Sequence, residues 1–305
     1  MAAVHKQLSR ASSVGGDRLL LVDGHAHAYR AFYAIRELTA PDGASTNAIF
    51  GFRKALEKLQ TDWRPTHVAV IWDGGLAEER TEALPEYKAN RPPMPEELVA
   101  QLDEIVAWVE ARGWVSLCAD GVEADDWIAG QAQAAAAAGA EVLISSSDKD
   151  FWQLVTDRIR VVDPRDREVR ALDPAGVVEK TGVRPDQIVD WLSLIGDSAD
   201  NIPGVRGVGR KTATALLRQF GSCEGIYAHL AEVTPERIRQ ALDESRELVR
   251  RNQELIRLAP EAAECRSLDE LAPREPDEER LAALYRRWGF RGALEELAPA
   301  QCELF

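Results

Sequence analysis

The sequence predicts an α/β protein with a doubly wound, mostly parallel sheet followed by a smaller helical domain. Three observations carry this. The apolar runs "RLLLV", "THVAVIW" and "AEVLIS" each lead within a few residues to aspartate. Helical stretches separate them: "NAIFGFRKALEKLQ", "PEELVAQLDEIVAWVEARG" and "EADDWIAGQAQAAAAAG". After about residue 174 the strand-like runs thin out and helical patterns continue. Strands alternating with helices of this length form parallel sheets.

Residues 1–17 lack the apolar segment of a secretory signal and read as a short flexible tail. Residues 18–22 form a buried strand that delivers Asp23 at its carboxyl end. The next two strands repeat the design with Asp73 and with Asp148 and Asp150. The alanine run at 134–138 lies between helix formers and is helix interior. "PAGVVEKTG", "RPDQIVDWLSLIG", "RKTATALLRQFG" and "TPERIRQALDESRELVRRNQELIRL" read as short helices. The boundary is placed near Gly182, giving domains at 18–181 and 182–305. Helices around 277–297 are expected to pack back.

Composition narrows the function classes. A hydrophobic content of 45% excludes a disordered or fibrous chain. No apolar run reaches the roughly 20 residues needed to span a bilayer. Cys118, Cys223, Cys265 and Cys302 lie far apart, which argues for a reducing, cytoplasmic setting and against zinc or disulfides. The formal charge of −14 opposes nucleic-acid binding overall, yet "GVRGVGRKTATALLRQFG" carries Arg206, Arg210, Lys211 and Arg218 without an acid.

The acids supply the chemistry. Asp23, Asp73, Glu123, Asp125, Asp126, Asp148, Asp150, Asp197 and Asp200 each follow a strand or adjoin a helix end. Active sites of open α/β sheets form at the carboxyl ends of the strands. Acids at helix starts also serve as caps, and that reading suffices for any one of them. It does not suffice for the set, because so many carboxylates at one edge repel unless protonated or metal-bound. Oxygen ligands without His or Cys select Mg²⁺ or Mn²⁺. Two such ions roughly 3.5–4 Å apart suit phosphodiester hydrolysis.

The motifs "LLLVDGHAHAYRAFYA", "WDGGLAEERTEALPEYKANRPPMPEEL", "GVEADD", "SSSDKDFWQL" and "LIGDSADNIPGVRGVGRKTA" make the chain resemble the 5′→3′ exonuclease/flap endonuclease family from about residue 18 to 290. That family occurs in bacteriophage enzymes and in the N-terminal domain of bacterial DNA polymerase I. The resemblance implies a PIN-like nuclease domain with two metal clusters. Asp23, Asp73, Glu123 and Asp125 fall at positions for the first metal, and Asp148, Asp150, Asp197 and Asp200 at positions for the second, with Asp126 beside both. It implies a helical arch over about 74–97, in which Lys88 and Arg91 contact the scissile phosphate. Arg80 and Arg30 match further basic positions, and Tyr29 an aromatic on which a terminal base stacks. Family members often carry Phe where Glu79 stands here.

The glycine-rich turn is not a nucleotide motif. Arg210 separates Gly209 from Lys211, which breaks the P-loop, and Thr212 stands where a dinucleotide fingerprint needs glycine. It reads as helix, turn, helix over about 185–219, with backbone N–H groups available to one duplex phosphate. The resemblance makes it a helix-three-turn-helix that often holds K⁺, with Gly204, Arg206, Gly207, Gly209, Arg210, Lys211 and Thr212 facing DNA. A tight turn between packed helices is the plainer alternative.

The expected protein is a monomeric, cytoplasmic, nucleoid-associated, Mg²⁺-dependent 5′ nuclease acting on DNA with a 5′ flap or single-strand/double-strand junction. A PIN-type ribonuclease and a non-catalytic junction-binding protein are the alternatives. The polymerase and proofreading domains of polymerase I are not in these 305 residues, so a stand-alone nuclease or a truncated chain is expected.

Overall fold

The structure is a computed structural model that describes residues 16–166 and 169–297. Most of the expected N-terminal tail, and Cys302, lie outside the described residues. Five parallel strands form the central sheet: β1 (Arg18–Asp23), β2 (His67–Trp72), β3 (Val115–Cys118), β4 (Glu141–Ser145) and β5 (Ile159–Val162). Their order is β3-β2-β1-β4-β5. The winding direction therefore reverses between β1 and β4, and a crevice opens there above the carboxyl ends. β3 and β5 were not foreseen; each has only four residues.

Helices α1 (Gly24–Ala34), α2 (Asn47–Trp63), α3 (Glu78–Ala83), α4 (Glu96–Ala111), α5 (Ala124–Ala137) and α6 (Pro174–Thr181) accompany the sheet. Successive strand residues point to opposite faces, and the two cores divide accordingly. Leu19, Leu21, Ala69, Ile71, Val142 and Ile144 pack on the side of α5. Leu20, Val22, Val68, Val70 and Leu143 pack on the side of α2 and α4.

The helical half comprises α7 (Ile188–Ile195), α8 (Arg210–Phe220), α9 (Cys223–Ala228), α10 (Glu236–Glu244) and α11 (Arg246–Ile256). A two-stranded ribbon, β6 (Gly196–Asp197) with β7 (Ile202–Pro203), follows α7. The core of this half is continuous with the α5 side, through Trp191, Leu192, Leu217 and Leu255. The chain then crosses to the other face, where α12 (Glu278–Trp288) and α13 (Arg291–Leu297) join the α2–α4 core. There the Trp108 indole donates to the Tyr285 hydroxyl at 2.9 Å, with both side chains buried.

The expected arch takes a different form. Between β2 and α4 Glu78–Ala83 is helical, and turns follow it. Leu84 and Tyr87 are buried in the α5-side core, so this segment lies against the sheet edge instead of standing away from it. Glu79 is exposed in the first turn of α3 and displaces nothing.

Replacing Tyr285 by Phe leaves the Trp108 N–H without an acceptor in the core. The expected cost is about 1–3 kcal/mol, read as a lower urea midpoint at unchanged slope.

Candidate active site

Asp23 ends β1 and caps α1. Its Oδ1 accepts from the Ala26 N–H at 3.0 Å and its Oδ2 from the Ser146 hydroxyl at 2.9 Å. Asp73 follows β2, and its Oδ1 accepts the Ala124 N–H at 2.9 Å, so it steadies the start of α5. The Asp73 N–H donates to His25 Nδ1 at 3.1 Å. Capping and site-building are therefore one arrangement here: each cap leaves oxygens over the crevice.

Glu123 occupies the N-cap position of α5 and is almost wholly buried. Its carboxylate meets the Lys88 ammonium, the Arg80 guanidinium at 3.1 Å and the Tyr87 hydroxyl at 3.4 Å. Burial works against its charge, but Lys88 and Arg80 outweigh it and lower the pKa. Asp125 lies one residue into the helix, half-buried.

Asp148 follows β4, accepting the Asp150 N–H at 2.9 Å. Asp150 opens a short 3₁₀ turn, and its buried Oδ1 has no hydrogen-bond partner. Asp197 and Asp200 come from the β6–β7 ribbon, both buried. Asp197 pairs with Lys149 at 2.6 Å and Asp200 with Arg91 at 2.6 Å.

Mutual repulsion shows which acids share space. Asp23 feels Asp73 and Asp148; Asp125 feels Asp148, Asp23 and Asp73; Asp150 feels Asp148, Asp200 and Asp197. Two groups thus overlap at Asp148. Burial, reinforced by these neighbours, raises Asp23 to about 6, raises Asp148, and raises Asp125 and Asp150 well above the usual carboxylate range. Among the described residues no three acids converge into a ready metal cage. Basic side chains hold several of them instead.

These residues fit divalent cations. The donor set is hard oxygen, the buried Asp150 oxygen lacks a partner, and a cation beside the raised acids would favour their charged form.

The segment from Glu86 to Arg91 is stitched to the ribbon turn. The Lys88 N–H donates to the Asp200 carbonyl at 3.1 Å, Asn201 Nδ2 to the Glu86 carbonyl at 2.8 Å, and Asn90 Nδ2 to the Ser198 carbonyl at 2.9 Å. Lys88 and Asn201 adopt φ of +54° and +60°, strain that these bonds sustain. Burial opposes the Lys88 charge, yet Asp125, Glu123 and Asp200 raise its pKa.

Residues 18–182 match the model described as 5′-3′ exonuclease, N-terminal resolvase-like domain. Residues 183–279 match 5′-3′ exonuclease, C-terminal SAM fold. The chain belongs to the 5′→3′ exonuclease family. DNA polymerase I of Pseudomonas aeruginosa is 42% identical over 286 residues, 92% of this chain and 31% of that protein. Thermostable DNA polymerase I of Thermus thermophilus is 40% identical over 290 residues, 94% of this chain and 34% of that protein. The chain thus spans about a third of the length of these relatives. The bacteriophage T5 flap endonuclease, solved with DNA and metal ions, shares the fold at a TM-score of 0.67 and 23% identity, over 92% of this chain and 100% of that one. The Rad2 catalytic core with DNA substrate does so at 0.63 and 15%, over 92% of each chain.

In this exonuclease-family chain two expected site residues stand differently from the expectation. Asp126 turns away from the acids: Arg80 grips both its oxygens at 2.8 Å and the Ala259 N–H takes Oδ1 at 2.8 Å. Consecutive helical residues diverge by about 100°, so only one of Asp125 and Asp126 can face the crevice. Arg80 itself is buried, with both Nη atoms engaged by protein oxygens, and presents no free fork to a phosphate. Arg30 is exposed and Tyr29 half-buried on α1. Lys149, Ser146, Tyr87 and His25 were missed; "DKD" carries the signal for Lys149, since a cation between two acids has carboxylates to pair with.

The glycine-rich turn joins the ribbon to α8. Gly204 lies so close to the end of α7 that a Cβ would come within 2.3 Å of the Ile195 carbonyl. Gly207 has φ of +80°, and Gly209 precedes α8 with open space around it. Arg206, Arg210 and Lys211 are exposed there and Thr212 is half-buried. Arg210 lies over the Trp191 ring at 5.7 Å.

A carboxyl with a raised folded-state pKa holds its proton more tightly than in the unfolded chain. Its contribution is full at low pH and lost as pH rises through the folded value. Metal-free protein should therefore melt at a lower temperature at about pH 7.5 than at about pH 5. Mg²⁺ should raise the melting temperature more at the higher pH, as scanning calorimetry would show.

Proposed function

We propose that the chain hydrolyses DNA phosphodiesters at or near 5′ ends beside a single-strand/double-strand junction, in replication and repair, with divalent metal ions and as a monomer in the cytoplasm. One observation carries this reading: acids from five separate chain segments lie near enough to one another above the β1–β4 switch point to repel, close to a basic, glycine-rich helix turn. The T5 relative in fold was solved with DNA and metal ions, which supports the same partners here.

Asp23, Asp73, Asp125 and Glu123 would hold one Mg²⁺ or Mn²⁺, and Asp148, Asp150, Asp197 and Asp200 the other. Such ions supply Lewis-acid polarisation of the phosphodiester and activation of water. The chain's own residues do the rest. Lys88 and Arg91 lie against Glu123 and Asp200, so a phosphate held over the metal-loaded crevice would meet both cations, which would offset charge developing on its oxygens. The expected products carry 5′-phosphate and 3′-hydroxyl. Tyr29, half-buried on α1, offers a ring for a terminal base, and exposed Arg30 adds positive charge on the same helix.

The turn at 204–212 presents backbone N–H groups, Arg206, Arg210 and Lys211 to the duplex backbone, with K⁺ able to join it. Such contacts read shape and not sequence.

A 5′-labelled DNA flap with and without Mg²⁺ tests the proposal. Cleavage at the junction is expected, abolished by excess EDTA and by Asp148→Asn, with junction binding by that variant largely retained. Cleavage that survives EDTA would refute the metal mechanism, and a preference for RNA flaps would favour a PIN-type ribonuclease. Lys88→Met should lower single-turnover cleavage by about 10²-fold.

A further inference from the structure

Arg80 joins three distant parts of the molecule. It belongs to α3, at the start of the segment that covers the acids. Its guanidinium forks onto Asp126 in the first turn of α5, with both hydrogen bonds at 2.8 Å. The same group donates to the Arg257 carbonyl at 3.1 Å, at the end of α11. Asp126 closes the triangle by accepting the Ala259 N–H.

This corner is laced further. Gln153, just after Asp150, donates to the Ile256 carbonyl at 3.1 Å and accepts the Leu258 N–H at 3.2 Å. Gln131 of α5 exchanges two hydrogen bonds with the Arg266 backbone, both at 2.8 Å. The strap after α11 is thus bound to the elements that carry Glu123, Asp125 and Asp150. At its other side α11 is bound to the glycine-rich unit, where Asn252 donates to the Ser193 and Pro203 carbonyls at 3.0 and 2.7 Å.

We infer that Arg80 is a positioning residue: it locks the first turn of α5 between α3 and the end of α11, so that seating of duplex on the helical half sets the placement of Glu123 and Asp125. This rests on the nuclease reading above. A bidentate, charge-assisted fork fixes angle as well as distance, which a lysine cannot reproduce. Small displacements of reacting groups carry large rate penalties. A buried guanidinium committed to Asp126 and a carbonyl, and lying 3.1 Å from the Glu123 carboxylate it helps to hold, is poorly placed to serve as a phosphate contact.

The salt dependence of DNA binding separates the two roles. Removing a phosphate-contacting cation reduces the slope of log K against log salt by about one. Arg80→Lys and Arg80→Met should leave that slope unchanged for a flap DNA without divalent metal, and the dissociation constant within about threefold. Single-turnover cleavage in Mg²⁺ at saturating DNA should fall at least about tenfold in both. Asp126→Asn should give a similar loss, and combining it with Arg80→Met should add little more. In both Arg80 variants the Ala259 amide should exchange hydrogen faster than in the wild type.

A slope reduced by one, or a full cleavage rate in Arg80→Met, would overturn the inference. A wild-type protein that cleaves no DNA would overturn the nuclease reading instead, and unchanged Ala259 exchange in the variants would then still refute the strap. Arg80→Lys keeps the charge and supplies the test if Arg80→Met fails to fold.

Discussion

Repulsion among buried carboxylates is the constraint to which the rest of this structure answers. Asp23, Asp125, Asp148 and Asp150 all have raised pKa values, first because they are buried and then because they face one another. A fold that presses them together must offset that penalty elsewhere. The sheet does so by making the acids part of its own construction: Asp23 caps α1, Asp73 receives the first N–H of α5, and Asp148 receives the Asp150 N–H. Each of these carboxylates accepts a backbone N–H and so helps to hold the local chain.

The remaining charge is met by cations from the chain itself. Lys88, Arg91 and Lys149 each pair with an acid from a different segment, Glu123, Asp200 and Asp197. Among the described residues no three acids form a preassembled cage. The pairs also draw the Glu86–Arg91 segment down onto the crevice, where the sequence had suggested an arch. Polar groups in that segment reach backbone carbonyls of the ribbon turn, and burial of Leu84 and Tyr87 completes the attachment. The covering segment is therefore closed by the same charges that would meet a phosphate.

Much of this was legible in the sequence because apolar runs ending in aspartate specify strand and carboxylate together. The runs before Asp23 and Asp73 are nearly free of polar residues, and the strands β1 and β2 follow them closely. β3 and β5 were not legible, since four residues give too little periodicity to tell a strand from a loop. The distinction between Asp125 and Asp126 was hidden for another reason. Both suit the first turn of a helix, and what separates them is the Ala259 N–H, a partner 133 residues away. Arg80 is hidden in the same way: the resemblance makes it a basic position near the site, whereas its partners are remote in sequence and buried. Local pattern finds the acids; only tertiary contact decides which of them face the crevice.

The net charge of −14 looks at first like a barrier to binding DNA, but its distribution resolves the conflict. Several acids of the crevice, Glu123, Asp197 and Asp200, are both buried and paired with cations, so their field at the surface is weaker than the count implies. Arg206, Arg210 and Lys211 stand exposed at the glycine-rich turn, which lies across the ribbon from those acids. On the proposed reading a duplex is attracted to the turn and repelled by the crevice acids, and a strand entering the crevice would meet exposed Arg91 before buried Lys88. Binding and chemistry in that reading require opposite local charge, and the ribbon from Gly196 to Pro203 lies between the two: Asp197 and Asp200 belong to it and Gly204 begins the turn beyond it. The close packing of Gly204 against the end of α7 joins the turn to the ribbon backbone to backbone, so in the proposed complex the spacing from bound phosphate to acids would be set by backbone and not by a flexible side chain.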